Sequence, residues 1–248
     1  MSRAYYNEID PYAAQWLRNL ITAGHIAPGD VDERSIEDVT PNDLAGYTQC
    51  HFFAGIGIWS LALRRAGWPD TRPVWTGSCP CQPFSTAGKG AGFTDERHLW
   101  PIFHWLIGEC RPPVVLGEQV ASKDADPWID LVQIDLEALG YVVGAVPFPA
   151  AGVGAPNIRD RLYWVADTND QGLEGRLMRG GQRSAERSPW AGGVAVWGRD
   201  GKQRLIEPSV QPLAHGDTSR VGRLRAYGNA LNAEAATQFI ATYMGCRP

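Results

Sequence analysis

The sequence predicts an α/β protein: a doubly wound, mainly parallel sheet with helices on its faces and a small extra region toward the C-terminus. Three observations carry this. Apolar runs of strand length alternate with stretches of helical periodicity. "FAGIGIWSLALRRAGW" reads as a strand, a glycine turn at Gly55 and Gly57, and a helix. "NEIDPYAAQWLRNLI" reads as the end of a short strand, an acidic residue and an amphipathic helix, a second unit of the same kind placed upstream of the first.

The elements follow in order. Tyr12, Ala13, Trp16, Leu17, Leu20 and Ile21 recur at helical spacing. Pro11 suits the first turn of that helix and Asp10 its cap. Pro28-Gly29 breaks the chain, and Thr40-Pro41 opens a short helix through Leu44. "TQCHFFAG" is a buried strand leading to the glycine turn, and the helix beyond carries Leu61, Leu63 and Ala66. Val74 to Thr76 form the next strand, and "PPVVLGEQV" another, with Glu118 at its carboxyl end. Residues 168–225 contain Gly, Arg and Trp and are only weakly periodic, with few strong strand signals.

Composition fits one sizeable domain with an appendage. The chain has 248 residues, 44% hydrophobic and 20% charged, enough to bury roughly three quarters of its unfolded surface. No apolar run approaches the roughly 18–20 residues of a membrane span, and the expected location is cytoplasmic. The five cysteines, Cys50, Cys79, Cys81, Cys110 and Cys246, are odd in number and scattered, as in a reducing compartment. Cys79 and Cys81 have no second Cys/His pair at zinc-site spacing, so no metal is expected. Net charge is −4, yet unevenly spread. Residues 1–158 carry 10 basic and 18 acidic side chains, and residues 159–225 carry 12 and 8. The basic excess in the C-terminal third could face phosphates.

Two stretches carry chemistry. A strand, G-x-G and a helix place backbone N–H groups and a positive helix end beside a ligand, a weak signal alone. "GSCPCQPFS" is stronger: Cys81 lies between Pro80 and Pro83, on a stiff loop rather than in a packed element. Glu118 ends a nearby strand, where catalytic groups of open α/β sheets collect.

These residues resemble the DNA (cytosine-5) methyltransferases. FAGIGIWSLALRRAGW resembles the family's first motif, GSCPCQPFS its Pro-Cys motif, and GEQV its Glu-Asn-Val. GAPNIRDRLYWVA resembles Gln-x-Arg-x-Arg, and YGNALNAEAATQFI the last motif, whose helix closes the cofactor pocket. The resemblance covers residues 48–167 and 226–240. It implies a Rossmann-like fold, S-adenosylmethionine as cofactor and double-stranded DNA as partner. It also implies Cys81 as nucleophile toward a flipped cytosine, with Glu118, Arg159 and Arg161 beside it. Phe53, Ala54, Gly55, Gly57, Trp59, Pro80, Asn229 and Ala230 would line the cofactor, and Gln82, Ser85, Gln119 and Asn157 the substrate. Two departures stand out: Gln119 replaces the family's Asn, and Asn157 its Gln.

The remaining cofactor motifs lie upstream of the glycine turn. NEIDPYA resembles the family's second motif and DERSIEDVTPNDL its third, so the chain reads as permuted, with strands 2 and 3 ahead of strand 1. Residues 33–47 can bridge the roughly 10 Å between strands two positions apart. Glu8 would accept the ribose hydroxyls, with Ile9 beside it. Asp32 would take the adenine amino group, and Asp30 competes for that role. The expected organisation is a catalytic and cofactor domain at 1–167, a target-recognition region at 168–225 and a returning helix at 226–248. Thr86 to Arg97 would be a mobile loop over the base. A compact monomer of phage or prophage type, reading a short site, is expected. A tRNA-modifying relative and a catalytically silent one are the alternatives.

Overall fold

The computed structural model describes residues 3–79, 99–121, 126–155, 158–168, 194–197, 203–206 and 230–246. Seven strands form one sheet, in chain order β1 (Ala4–Asn7), β2 (Gly29–Asp32), β3 (Gln49–Phe52), β4 (Val74–Gly77), β5 (Val114–Val120), β6 (Val142–Pro147) and β7 (Arg161–Asp167). Their spatial order is β2-β1-β3-β4-β5-β7-β6. The first five are mutually parallel, and β7 runs antiparallel between β5 and β6.

Residues 4–32 thus supply two strands to the sheet, β1 inside it and β2 at its edge. They are joined by helix α1 (Pro11–Thr22), whose cap is as expected: Asp10 accepts from the N–H groups of Tyr12 and Ala13. The expected helix at Pro41–Leu44 is a single 3₁₀ turn. β3 lies on the far side of β1 from β2, two positions away, and residues 33–48 make that crossing.

Alternation along each strand feeds two cores. Tyr5, Cys50, Phe52, Trp75, Val115 and Trp164 face one side. There they pack on helix α3 (Trp100–Cys110), helix α4 (Asp126–Ala138) and the 3₁₀ turns carrying Ile36 and Leu44. Leu116, Tyr163 and Val165 face the other side, against helices α2 (Ile58–Arg65) and α5 (Ala233–Cys246). Tyr6 joins Leu17 and Ile26 beneath α1 on that same side. Trp68, Trp100, Trp128 and Trp164 are all fully buried. Each large side chain so placed contributes about 1.5–3 kcal/mol.

A separate antiparallel pair, β8 (Val194–Trp197) and β9 (Gln203–Ile206), lies in the region where strand signals looked scarce. Its two four-residue segments, VAVW and QRLI, are too short for period-two alternation to stand out from their Gly- and Arg-rich flanks. The rest of 169–229 lies outside the described residues, and so do the arginines expected there to meet phosphates, apart from Arg204, which pairs with Val196 on β8. Among the described residues no helix is long and apolar enough to cross a membrane.

Candidate active site at the carboxyl ends of the strands

Register brings the candidate residues to one end of the sheet. Asn7, Asp32, Phe52 and Gly77 are the last residues of neighbouring parallel strands, and Asn7 is in register with both Asp32 and Phe52. Because β7 is antiparallel, its first residue, Arg161, lies at that same end, opposite Val120. Open α/β sheets bind ligands at such an edge, where the connections diverge. Here they diverge between β1 and β3: the chain leaves β1 outward to β2 and leaves β3 toward β4.

The glycine turn is built from the sequence upward. Phe53, Gly55 and Gly57 all take positive φ, at 51°, 54° and 78°. Gly57 caps α2 with no side chain, and a Cβ there would lie 3.0 Å from Leu17. Glu8 ties this turn to β1. One carboxylate oxygen accepts from Gly55 N–H at 2.6 Å and the other from Asp10 N–H at 2.9 Å. Ala54 N–H bonds the Asn7 carbonyl. Ile9, the next residue, is 65% exposed although apolar. A Cβ on Gly55 would meet nothing within 4 Å among the described residues.

Asp32 and Asp30 differ in placement. Asp32 ends β2, and its carbonyl accepts from Glu8 N–H. Its carboxylate takes the Tyr5 hydroxyl at 2.7 Å and an ion pair with Arg34 at 2.7 Å. Desolvation works to raise this carboxyl, but the bonds from Arg34 and Tyr5 outweigh it and hold it below the usual range. Asp30 lies two residues back along the strand, away from the ligand-binding edge, held by Arg3 and the Tyr47 hydroxyl.

On the other half, Glu118 is 8% exposed. Arg161 Nε reaches its Oε1 at 2.7 Å. Burial pushes the Glu118 carboxyl up, opposed by the charges of Arg161 and Arg159 and by a hydrogen bond with Ser78. Arg159 has φ of 37° and donates to the Ala230 carbonyl, holding the entry to α5 against the site. The next residue but one, Asn232, caps α5 by accepting from Ala235 N–H. Gln119 is buried, and its amide engages the Cys79 carbonyl and the Val120 N–H. It therefore anchors the stem of the Pro-Cys loop, a different contact from the substrate role expected of it. Trp59 donates its indole N–H to the Ser78 hydroxyl at 3.1 Å. Pro80, Cys81, Gln82, Ser85, Asn157 and Asn229, and the Thr86 to Arg97 loop, lie outside the described residues.

Two residues at this edge escaped the sequence reading. Ser78 is one. Tyr163 is the other: its side chain is buried beside Trp59, and its hydroxyl has no hydrogen-bond partner among the described residues. A polar residue directly after an apolar strand marks Ser78, but nothing in the pattern distinguishes Tyr163 from a core aromatic.

Comparison with known proteins points to one family. Residues 69–191 match the family model described as C-5 cytosine-specific DNA methylase. The type II methyltransferase M.HhaI of Haemophilus parahaemolyticus is 33% identical over 99 residues, 38% of this chain and 30% of that protein. M.Eco47II of Escherichia coli is 30% identical over 169 residues, 66% of this chain and 34% of that protein. Just under half of the chain thus matches the DNA (cytosine-5) methyltransferase family. The chain spans about a third of the length of these two relatives. Among solved structures, the S. pombe Dnmt2 methyltransferase is similar at a TM-score of 0.44 and 13% identity, covering 98% of this chain and 94% of that one. The family model begins at residue 69, so β1, β2 and the glycine turn lie before the matched segment.

Proposed function

We propose that this protein methylates carbon 5 of cytosine in double-stranded DNA, at a short recognition site, from S-adenosylmethionine. The observation that carries the reading is the buried Glu118–Arg161 pair at the carboxyl edge of the sheet, directly beside the stem of the loop that bears Cys81.

The cofactor end fits the group. Glu8 offers a carboxylate for ribose hydroxyls, Ile9 an exposed apolar surface, and Gly55 an open approach to backbone. Phe53, Ala54, Gly57 and Trp59 continue the same edge. Asp32 remains the better placed acid for an adenine amino group, since Asp30 is turned to Arg3 and Tyr47. Sheet order supports a permuted chain in which β1 and β2 supply what usually follows the glycine motif. S-adenosylmethionine, when bound, supplies an electrophilic sulfonium methyl group.

The chain's own residues prepare the base. The ring of cytosine is not nucleophilic enough at carbon 5. The Cys81 thiolate adds to carbon 6, forming a carbon–sulfur bond. As electrons move into the ring, ring nitrogen 3 takes the proton of Glu118. Burial favours the protonated form of this acid. Arg161 steadies the carboxylate that remains and the charge developing at the ring carbonyl. Carbon 5 is now an enamine carbon, the nucleophile to which a bound S-adenosylmethionine would give up its methyl group, leaving S-adenosylhomocysteine. Water then takes the carbon-5 proton, the carbon 6–sulfur bond breaks to release the Cys81 thiolate, and nitrogen 3 returns its proton to Glu118. The base must leave the duplex for this, at a cost of a few kcal/mol.

DNA containing 5-fluorocytosine tests the reading, because fluorine at carbon 5 blocks the final elimination. With S-adenosylmethionine present, the protein should form a complex that survives denaturation, and Cys81→Ala should not. A complex that persists in Cys81→Ala, or trapping on tRNA in place of DNA, would overturn it.

A further inference from the structure

The two arginines at the entrance to β7 go to different partners. Arg161 makes the ion pair with Glu118. Arg159 donates from Nη2 to the Ala230 carbonyl at 2.5 Å, across 71 positions of chain. Its backbone is left-handed, with φ of 37°, which a residue with a side chain keeps only when its surroundings hold it there. A hairpin does the holding: Phe148 N–H bonds the Arg161 carbonyl, Ala150 N–H that of Arg159 and Ala151 N–H that of Ile158. The strained position is thus the one whose side chain crosses to a distant segment. On the far side of the bond, Ala230 leads into α5, which Asn232 caps. Helix α5 packs on α2 through Ala235, Ala236 and Ile240 against Trp59 and Leu63, and Glu234 pairs with Arg65 at 2.7 Å. The Arg159 bond lies at the ligand-binding edge, since β7 begins there. Helix α2 opens from the glycine turn at the same edge.

We propose that Arg159 is a positioning residue for the cofactor, a latch that holds the entry to α5 at the edge of the sheet so that one wall of the cofactor site stands before S-adenosylmethionine binds. The inference rests on the reading of this edge as the cofactor site. A wall already in place adds no ordering entropy to binding. The bond joins a charged donor to a backbone carbonyl, the stronger kind of hydrogen bond. A guanidinium cannot be deprotonated in a protein, so the latch holds at any working pH. The pair of arginines divides its labour: Arg161 serves the acid and Arg159 the cofactor wall. One short segment, Arg159 to Arg161, thereby sets both halves of the site. The charge of Arg159 also bears on Glu118, and a variant that keeps the charge separates that influence from the latch.

The test compares the full-length protein with Arg159→Met, which keeps the apolar stem and loses the donors, and Arg159→Lys, which keeps a charge and a donor. Hydrogen exchange in the free protein reads the latch. The Ala235 and Ala236 amides, the first that Asn232 holds in α5, should exchange about tenfold faster in Arg159→Met. Amides of β3 and β5 should keep their rates, which a general loss of stability would not allow. Calorimetry with S-adenosylmethionine, in the absence of DNA, reads the consequence. The Kd should rise about tenfold in Arg159→Met and by less in Arg159→Lys. In turnover, KM for S-adenosylmethionine should rise by a larger factor than kcat falls. Unchanged exchange at Ala235 and Ala236 overturns the latch, and so does a Kd raised equally in both variants. If Arg159→Met does not fold, Arg159→Gln, too short to span to Ala230, takes its place with the same outcomes. Faster exchange and a raised Kd in a protein that transfers no methyl to DNA would sink the functional reading and leave the latch standing. A DNA-methylating enzyme whose Kd is the same in Arg159→Met would do the reverse.

Discussion

Side chains at the floor of the site are chosen for what they lack. Gly77 and Gly117 pair across β4 and β5. A Cβ on Gly77 would stand 2.5 Å from the Phe103 ring, and one on Gly117 would stand 2.1 Å from the Trp164 ring. Two rings thus fill the space a Cβ would need beside the residues that precede Ser78 and Glu118. Gly117→Ala forces a fully buried indole to move within a close-packed core, and such overpacking costs about 1–3 kcal/mol. The expected outcome is a lower denaturation midpoint, measured in urea, with the folded protein also losing activity because Glu118 is the next residue. A midpoint within error of the wild type would show that Trp164 has room to shift. The sequence marks these glycines only as interruptions in apolar strands. What they accommodate comes from the far side of the sheet, from Phe103 on α3 and Trp164 on β7, and no local pattern contains it.

Among the elements, β1 and the turn after β3 act together through one carboxylate. Glu8 binds the backbone of both Asp10 and Gly55, so the acid expected to meet a ribose also holds the turn beside it. Glu8→Gln keeps the shape and removes the charge. Charge-assisted hydrogen bonds are worth about 1.5–3 kcal/mol each, so affinity for S-adenosylmethionine should fall at least tenfold by calorimetry, with far-UV circular dichroism unchanged. Unaltered affinity would mean that β1 and α1 serve the sheet alone. A substitution is the cleaner test here, since removing residues 4–32 would strip both β1 and β2 from the sheet and leave β3 at its edge. Much of this element was legible beforehand: Asp10 as cap, Pro11 in the first turn, the apolar stripe of α1 and the G-x-G turn. The 3₁₀ form of Pro41–Leu44 was not, because four residues with one proline fit either helix type. The pinning of Gln119 to Cys79 was hidden too, as it depends on how β5 lies against the exit of β4.

At the scale of the whole molecule, the buried His51 gives stability a pH dependence. It stands within β3, stacked on Tyr6, with Nδ1 2.8 Å from the Thr76 hydroxyl and Nε2 without a partner among the described residues. Desolvation holds its pKa down at about 3 against an ordinary 6.5. The unfolded chain therefore takes up a proton that the folded one refuses. The stability due to this group is complete above pH 6.5 and is lost as pH falls toward 3, with a slope of at most about 1.4 kcal/mol per pH unit. Urea unfolding at a series of pH values should show a shallower decline over that window in His51→Gln than in the wild type. Equal slopes would assign the acid sensitivity to carboxylates instead.

The order of strands also bears on how the chain is made. On a ribosome, residues 4–32 emerge before residues 49–52, so β1, α1 and β2 can close as a local crossover unit while β3 is still unsynthesised. Short connections of this kind close quickly. The inner side of β1 is then a bare strand edge, Tyr5 and Tyr6 included, until Phe52 has cleared the exit tunnel and β3 docks along it. An unpaired edge is a template for any other extended segment. Pauses in translation between Asp32 and Phe52 would prolong its exposure, and the nascent chain is there most in need of a chaperone.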